Sequence, residues 1–237
     1  MTYKEVRGNI FNSKAQALVN TVNCVGVMGK GIALEFRRRY PKMFKEYQGV
    51  CKKGELQPGQ ILPYREGEIW ILNFAIKKDW KHPSEVKWIE SCLKDFVSRY
   101  RDMDIKSAAF PWMGAMNGAI PIEIIKKVMR EYLSNLTDVG IEVYEFDPDV
   151  SDPLFEKLDI IAKSQYLNIK DLSKRSGIQS RYIEKIIKAL QEGKIRSLPR
   201  LIESGIIGKT NIEKLYAFLI KSRVDSSYQA PLFSENE

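Results

Sequence analysis

The chain has 237 residues, 44% of them hydrophobic, and a formal net charge of +8, enough length for one large or two unequal domains with a sizeable core. No apolar run approaches the ~18 residues of a membrane span, and the opening Met-Thr-Tyr-Lys-Glu-Val lacks the apolar stretch of a signal peptide, so a cytoplasmic protein without membrane contact is expected. Cys24, Cys51 and Cys92 are scattered, odd in number and without C-x-x-C spacing, which points to reduced thiols and away from a disulfide or zinc framework.

From the N-terminus to about residue 147, strand-like and helix-like patterns alternate. The first strong signal runs from Ala17 to Phe36. Leu18 and Val19 suit a buried strand over 17–20, and the periodicity changes after Asn23. Gly26, Gly29 and Gly31 let backbone approach a ligand closely. A helix beginning near Gly31 or Ile32 would aim its free N–H groups and positive dipole end at the same place. Asn20 and Asn23 each carry donors and an acceptor, which suits ribose hydroxyls. The glycine spacing alone also fits an ordinary strand-to-helix turn; the two asparagines ahead of it favour a phosphate and sugar site.

Further strands are expected at 61–64, 69–74, 107–110 and 141–146. Between them, Trp88, Cys92, Phe96 and Tyr100 recur every four residues on one face of a helix over about 84–100. Another helix follows Pro121 and carries Ile124, Ile125, Val128, Met129 and Tyr132. This alternation predicts an α/β layered domain with a mainly parallel or mixed sheet. Ligands of such sheets sit outside the carboxyl ends of strands. The segments there, 20–23, 75–80, 111–118 and 147–149, are expected to wall one pocket suited to a diphosphate flanked by sugars.

The Asp/Pro breaks at Asp147-Pro148-Asp149 and Ser151-Asp152-Pro153 read as a linker. Domains are therefore expected over 1–150 and 151–224, with a disordered tail over 225–237. Residues 155–223 read as short helices, and 151–224 holds 15 Lys and Arg against 8 Asp and Glu. That excess suits either a polyanion partner or a solvated lysine-rich surface. Residues 168–188 fit a helix-turn-helix, with Leu172 and Ser173 on the first helix, Gly177 at the turn, and Ile178, Ile183 and Ile186 as anchors. Gln179, Ser180, Arg181, Glu184, Lys185 and Lys188 then face outward, and all but Glu184 are candidate duplex-DNA contacts. A helical bundle that docks a protein partner fits the same pattern. His82 is the only histidine, no spacing implies a metal or other cofactor, and Asp147 and Asp149 read as an exposed Asp-Pro turn.

Arg7-Gly8-Asn9-Ile10, the stretch Ala17 to Phe36, Asn73-Phe74-Ala75-Ile76-Lys77-Lys78-Asp79-Trp80 and Pro111 to Gly118 together resemble the macro domain family, the ADP-ribose binders, and within it the DarG-type antitoxins that remove ADP-ribose from DNA. The resemblance implies a three-layer α/β/α macro domain with a mixed sheet, followed here by a small all-α helix-turn-helix-like domain. It places Asn9 and Ile10 near the adenine. Asn20 and Asn23 fall near the distal ribose, and Gly29, Lys30, Gly31, Ile32 and Ala33 along the diphosphate, with Thr21, Val22 and Met28 also among the implied ADP-ribose contacts. Gly114, Ala115, Met116, Asn117 and Gly118 form the second phosphate loop. Met116 and Ala119 stand where the family usually has glycine, and a side chain at 116 would narrow the pocket.

Lys77 matches the position of the lysine implicated in this type of hydrolase. It would act at the anomeric carbon as a nucleophile, if desolvation or neighbouring cations such as Lys78 lower its pKa, or would position base or diphosphate as a cation. The implied activity is hydrolysis of ADP-ribose from a nucleic-acid base, with a non-catalytic ADP-ribose reader or transcriptional regulator as the alternative. A DarT-like toxin is the implied protein partner. The peptide from Gln229 to Phe233 is similar to sliding-clamp-binding peptides.

Overall fold

The computed structural model describes residues 2–164 and 167–222. The chain divides into two compact units, the first ending at Phe146 and the second beginning at Asp147. The tail from 225, with its peptide Gln229 to Phe233, lies outside the described residues.

In the first unit, strands β1 (Tyr3–Gly8), β2 (Ala17–Asn23), β3 (Ile61–Glu66), β4 (Ile69–Lys77), β5 (Ser107–Pro111) and β6 (Gly140–Phe146) form one sheet in the order β1-β6-β5-β2-β4-β3. Every neighbouring pair is parallel except β3 against β4. Helices α1 (Gly31–Arg39), α2 (Pro41–Lys52), α3 (Val86–Arg99) and α4 (Ile122–Leu133) complete the unit.

Period-two alternation gives the sheet two apolar faces. Val19, Leu72, Phe74 and Phe110 pack in one core with Ile89 and Phe96 of α3 and Ile125 and Met129 of α4. Their strand neighbours Leu18, Ile71, Ala75 and Ala109 pack in another with Phe36 of α1 and Met43 and Tyr47 of α2. This is the α/β/α layering that the resemblance implies.

Three features exceed the expectation from sequence. Strand β1 was hidden by its charges: Lys4, Glu5 and Arg7 are exposed, as suits an edge strand. Helix α2 follows α1 directly, with Pro41 at its first turn. Strands β2 and β4 run past the apolar stretches to Asn23 and Lys77, which face each other in register beyond an irregularity between Val22 and Asn23.

The second unit is helical: α5 (Pro153–Lys163), α6 (Ile169–Ser176), α7 (Ser180–Gln191), α8 (Leu198–Glu203) and α9 (Lys209–Lys221). Gly177 ends α6 in the left-handed region at φ 67°, and its N–H donates to the Ser173 carbonyl at 2.9 Å. The Ser173 hydroxyl donates to the Ile178 carbonyl at 2.7 Å and so ties the turn to α6. Helix α7 buries Ile183, Ile186, Ile187 and Leu190 and leaves Arg181, Glu184, Lys185 and Lys188 exposed.

The segment 147–149, expected as a wall of the strand-end pocket, falls in this helical unit. The Asp149 carboxylate is not free: Arg200 donates to both its oxygens, at 2.6 and 2.7 Å. Free cysteines stand at 24, 51 and 92. Among the described residues, no helix is long and apolar enough to cross a membrane.

Asp152 is fully buried and accepts from the N–H groups of Leu154 (2.9 Å) and Phe155 (3.1 Å), capping α5. Asp152→Ala is expected to destabilise the helical unit by ~1–3 kcal/mol, because those amides lose a buried acceptor. Asp171→Ala breaks only an exposed pair with Arg175 and should cost under ~1 kcal/mol. Urea unfolding followed by circular dichroism measures both, and equal costs would refute this account of the cap.

Candidate active site

The carboxyl ends of β5, β2 and β4 lie side by side, and three loops rise from them. The loop after β2 is organised by Asn23, which is only 6% exposed. Its Nδ2 donates to the Val27 carbonyl at 2.6 Å, while Oδ1 accepts from the N–H groups of Val25 (3.0 Å) and Val27 (3.3 Å). The Tyr47 hydroxyl donates to the Asn23 carbonyl at 2.7 Å and lies 3.1 Å from Oδ1. Burial pushes the Tyr47 phenol well above its usual pKa, so this donor stays protonated. Asn23 thus shapes the turn that sequence reasoning had it present to a ribose.

Asn20 is also turned inward. Its Nδ2 donates to Asn73 Oδ1 at 2.8 Å, and Asn73 Nδ2 donates to the Leu62 carbonyl at 3.2 Å, so a line of amides crosses β2, β4 and β3. Both asparagines are completely buried. Asn20 Oδ1 has no protein hydrogen-bond donor.

Helix α1 starts at Gly31 with no side chain capping it; Lys30 holds the N-cap position in extended conformation. Its first N–H groups are therefore left without a side-chain acceptor, the arrangement that favours an anion at a helix start. Gly31 has φ 55°, and a Cβ there would collide with Asn117 Nδ2. The two glycine loops consequently meet at Gly31 and Asn117. In the second loop, a Cβ on Gly118 would overlap the Gly114 backbone and come within 2.6 Å of Ser84 Oγ. Ala119 takes the left-handed conformation itself, at φ 58°, and Met116 is 75% exposed.

Lys77, the last residue of β4, donates from Nζ to the Asn117 carbonyl. Desolvation lowers its pKa, partly opposed by the Asp79 carboxylate. Lys77, Asn117 and the open end of α1 thus meet at one place.

The other residues singled out from sequence divide by burial. Ile10, Val22 and Met28 are buried in the core beneath α1 and α2. Asn9 is 4% exposed and accepts from the Phe11 N–H at 3.1 Å, capping a 3-10 turn over Ile10–Asn12. Gly29 and Lys30 are exposed, while Thr21, Ile32, Ala33, Gly114 and Ala115 are half-buried. Sequence reasoning missed Phe146, 46% exposed at the end of β6 and in register with Gly8, directly before Asn9 and Ile10. An aromatic residue closing a strand at the sheet's carboxyl edge was the available signal. It also missed Asn73 as the partner of Asn20, marked by an amide inside an apolar strand.

Asn23→Ala removes the acceptor for two loop amides, so hydrogen exchange at Val25 and Val27 should accelerate at least ~10-fold. Amides of Leu18 and Val19 should keep their protection. Unchanged exchange at Val25 and Val27 would overturn the organising role of Asn23.

The macro domain family pattern matches residues 19–129. A DNA ADP-ribosyl glycohydrolase from Thermus aquaticus is 43% identical over 144 residues, which cover 59% of this chain and 40% of that protein. The chain thus spans about 40% of the length of the DNA ADP-ribosyl glycohydrolases it matches. The structure of the macrodomain of Thermus aquaticus DarG is 42% identical, with a TM-score of 0.58, covering 61% of this chain and 98% of that one. The structure of Thermosipho africanus DarTG in complex with ADP-ribose is 32% identical, with a TM-score of 0.58, covering 65% of this chain and 44% of that one. Near-complete coverage of a 42%-identical macrodomain, with the layered sheet and paired glycine loops described above, means that the chain belongs to the macro domain family.

Proposed function

We propose that the first unit is a glycohydrolase that removes ADP-ribose from modified DNA, and that Lys77 carries the chemistry. The observation that carries this reading is the meeting of Lys77 Nζ, the Asn117 carbonyl and the uncapped start of α1 at Gly31. A diphosphate would sit on the N–H groups at Gly31, Ile32 and Ala33 and against the loop Gly114–Gly118. The adenine would lie beside Asn9 and Ile10, with Phe146 offering a ring face. That leaves the distal ribose over the loop held by Asn23, with its anomeric carbon towards Lys77.

Cleaving the bond from that carbon to a base nitrogen leaves its electron pair on the base and an electron-poor carbon on the sugar. A neutral amine can attack that carbon and later be displaced by water. Desolvation, which lowers the Lys77 pKa, raises the neutral fraction at physiological pH. The departures from glycine at Met116 and Ala119 favoured a non-catalytic reader. With Met116 exposed and Ala119 itself in the left-handed region, neither side chain argues against a diphosphate in the loop.

With ADP-ribosylated single-stranded DNA as substrate, Lys77→Ala should slow release of ADP-ribose by about 100-fold or more. A lowered amine pKa sets the sign of the pH profile: activity rises with pH as the amine deprotonates and levels off below the pH at which a free lysine would titrate. Binding of ADP-ribose without any release by the wild type would refute the enzyme reading. A rate that falls through the same pH range would assign Lys77 a cationic role instead.

For the second unit we infer duplex binding through the exposed side of α7, with Gln179, Ser180, Arg181, Lys185 and Lys188 towards the groove and phosphates. The helix-turn-helix-like pairing of α6 and α7 and the local basic excess support this reading. Each phosphate contact contributes ~0.9 to the slope of log affinity against log salt. The double variant Lys185→Ala/Lys188→Ala should therefore flatten that slope by about 2. Salt-independent binding, or none, would favour docking of a DarT-like toxin on this unit.

A further inference from the structure

The loop that follows Lys77 has a chemistry of its own. Trp80 lies three residues beyond Lys77 and is 57% exposed, whereas Trp70, Trp88 and Trp112 are all partly buried. Leaving an indole in water forgoes the gain from burying it, and an exposed aromatic beside a site is a common form of recognition surface. The loop is also held in place. Asp79 Oδ1 accepts from the N–H groups of Lys81 (2.7 Å) and His82 (3.2 Å), and its Oδ2 meets His82 Nδ1 at 2.7 Å. Those bonds fold the turn that carries Trp80 and occupy its only carboxylate.

What remains outward is cationic. Lys78 and Lys81 are exposed, and Lys81 Nζ lies over one face of the Trp80 ring, 5.5 Å from its centre, so a base would take the other face. An exposed indole flanked by lysines, three residues from Lys77, matches a flat base followed by a phosphate. Two such groups in succession are one nucleotide of a single strand, since a duplex hides its base faces in the stack.

We propose that Trp80, with Lys78 and Lys81, forms a stacking platform for an unmodified nucleotide adjacent to the ADP-ribosylated one on single-stranded DNA. The proposal rests on the glycohydrolase reading, and it adds a second recognition element outside the ADP-ribose cleft. Three residues of extended chain span at most ~11 Å, so the platform lies within reach of the first or second neighbouring nucleotide. Base stacking on an aromatic side chain is worth about 5- to 100-fold in affinity. It acts on binding of the strand and leaves the bond-breaking step untouched.

Two measurements on the full chain test this. The first compares an ADP-ribosylated 15-nucleotide single strand with the same ADP-ribosylated nucleoside free of any strand. Trp80→Ala should raise KM for the oligonucleotide by about 5- to 100-fold, with kcat within about twofold and the free nucleoside unaffected; Trp80→Phe should restore most of the loss. An unchanged oligonucleotide KM would overturn the platform. So would an equal rise for both substrates, which marks a loop needed only for the cleft. The second measurement titrates unmodified single-stranded oligo-dT and follows tryptophan fluorescence, which needs no catalysis. Quenching that disappears in Trp80→Phe supports the platform, and absence of quenching in the wild type overturns it. Failure of the glycohydrolase reading would instead show as no ADP-ribose release from either substrate.

Discussion

Asn117 serves the site through two different groups. Its backbone carbonyl accepts from Lys77 Nζ, and its side-chain amide fills the space that a Cβ at Gly31 would need. The ends of β4, the loop after β5 and the start of α1 are thereby drawn to one place. Gly31 must be glycine for two reasons, its positive φ and this contact. Gly118 then has to lie against the Gly114 backbone to bring the loop back under Ser84, whose N–H donates to the Gly118 carbonyl at 2.9 Å. A bulkier residue at either position would push the loop away from Lys77 and expose the amine to water, which would remove the desolvation that lowers its pKa.

Beneath this contact, the sheet is polar where a simple packing argument would make it apolar. Asn20 and Asn73 are fully buried; Asn20 Nδ2 donates to Asn73 and Asn73 Nδ2 to the Leu62 carbonyl, while Asn20 Oδ1 is left without a donor among the described residues. Burying such groups costs free energy unless they are hydrogen-bonded. Their pairing also fixes the register of β2 against β4, because a slip of one residue would leave the two amides on opposite faces of the sheet and break the line. One residue of shift between Val22 and Asn23 then sets Asn23 opposite Lys77 instead of Ile76. Two asparagines that look like ligand contacts in the sequence thus hold the walls to which a ligand would bind.

That distinction explains how much could be read beforehand. Strand β5 and helices α3 and α4 announce themselves by pattern, since each buries several apolar residues; β3 and β6 are legible from fewer, Ile61 in one and Ile141, Val143 and Tyr144 in the other. Strand β1 did not, because an edge strand with one half-solvated face carries Lys4, Glu5 and Arg7. The carboxyl ends of β2 and β4 were cut short for a related reason: polar residues mark the point where a strand leaves the core for the site. Within the cleft, the glycines and Lys77 were legible as chemistry. The direction of the Asn20 and Asn23 side chains was not, because an amide offers the same donors and acceptor to a backbone as to a sugar. Phe146 was passed over because it ends a strand that already read as core.

The way the cleft would hold phosphate also bears on what its lysine can do. An anion resting on the N–H groups of α1 and on a glycine loop is bound by fixed dipoles, which carry no titratable proton. A cleft built instead from arginine and lysine would gather any polyanion and would give its charge to every phosphate of a strand. Here the basic excess lies beyond residue 150, while 1–150 holds 23 basic residues against 19 acidic ones. On the proposed reading, a diphosphate would be held by shape and dipole, and Lys77 would not need to remain charged to bind it. Freed from that task, the amine can lose its proton as desolvation favours. On that reading, backbone dipoles would hold the diphosphate while the half-buried Lys77 amine is left to react.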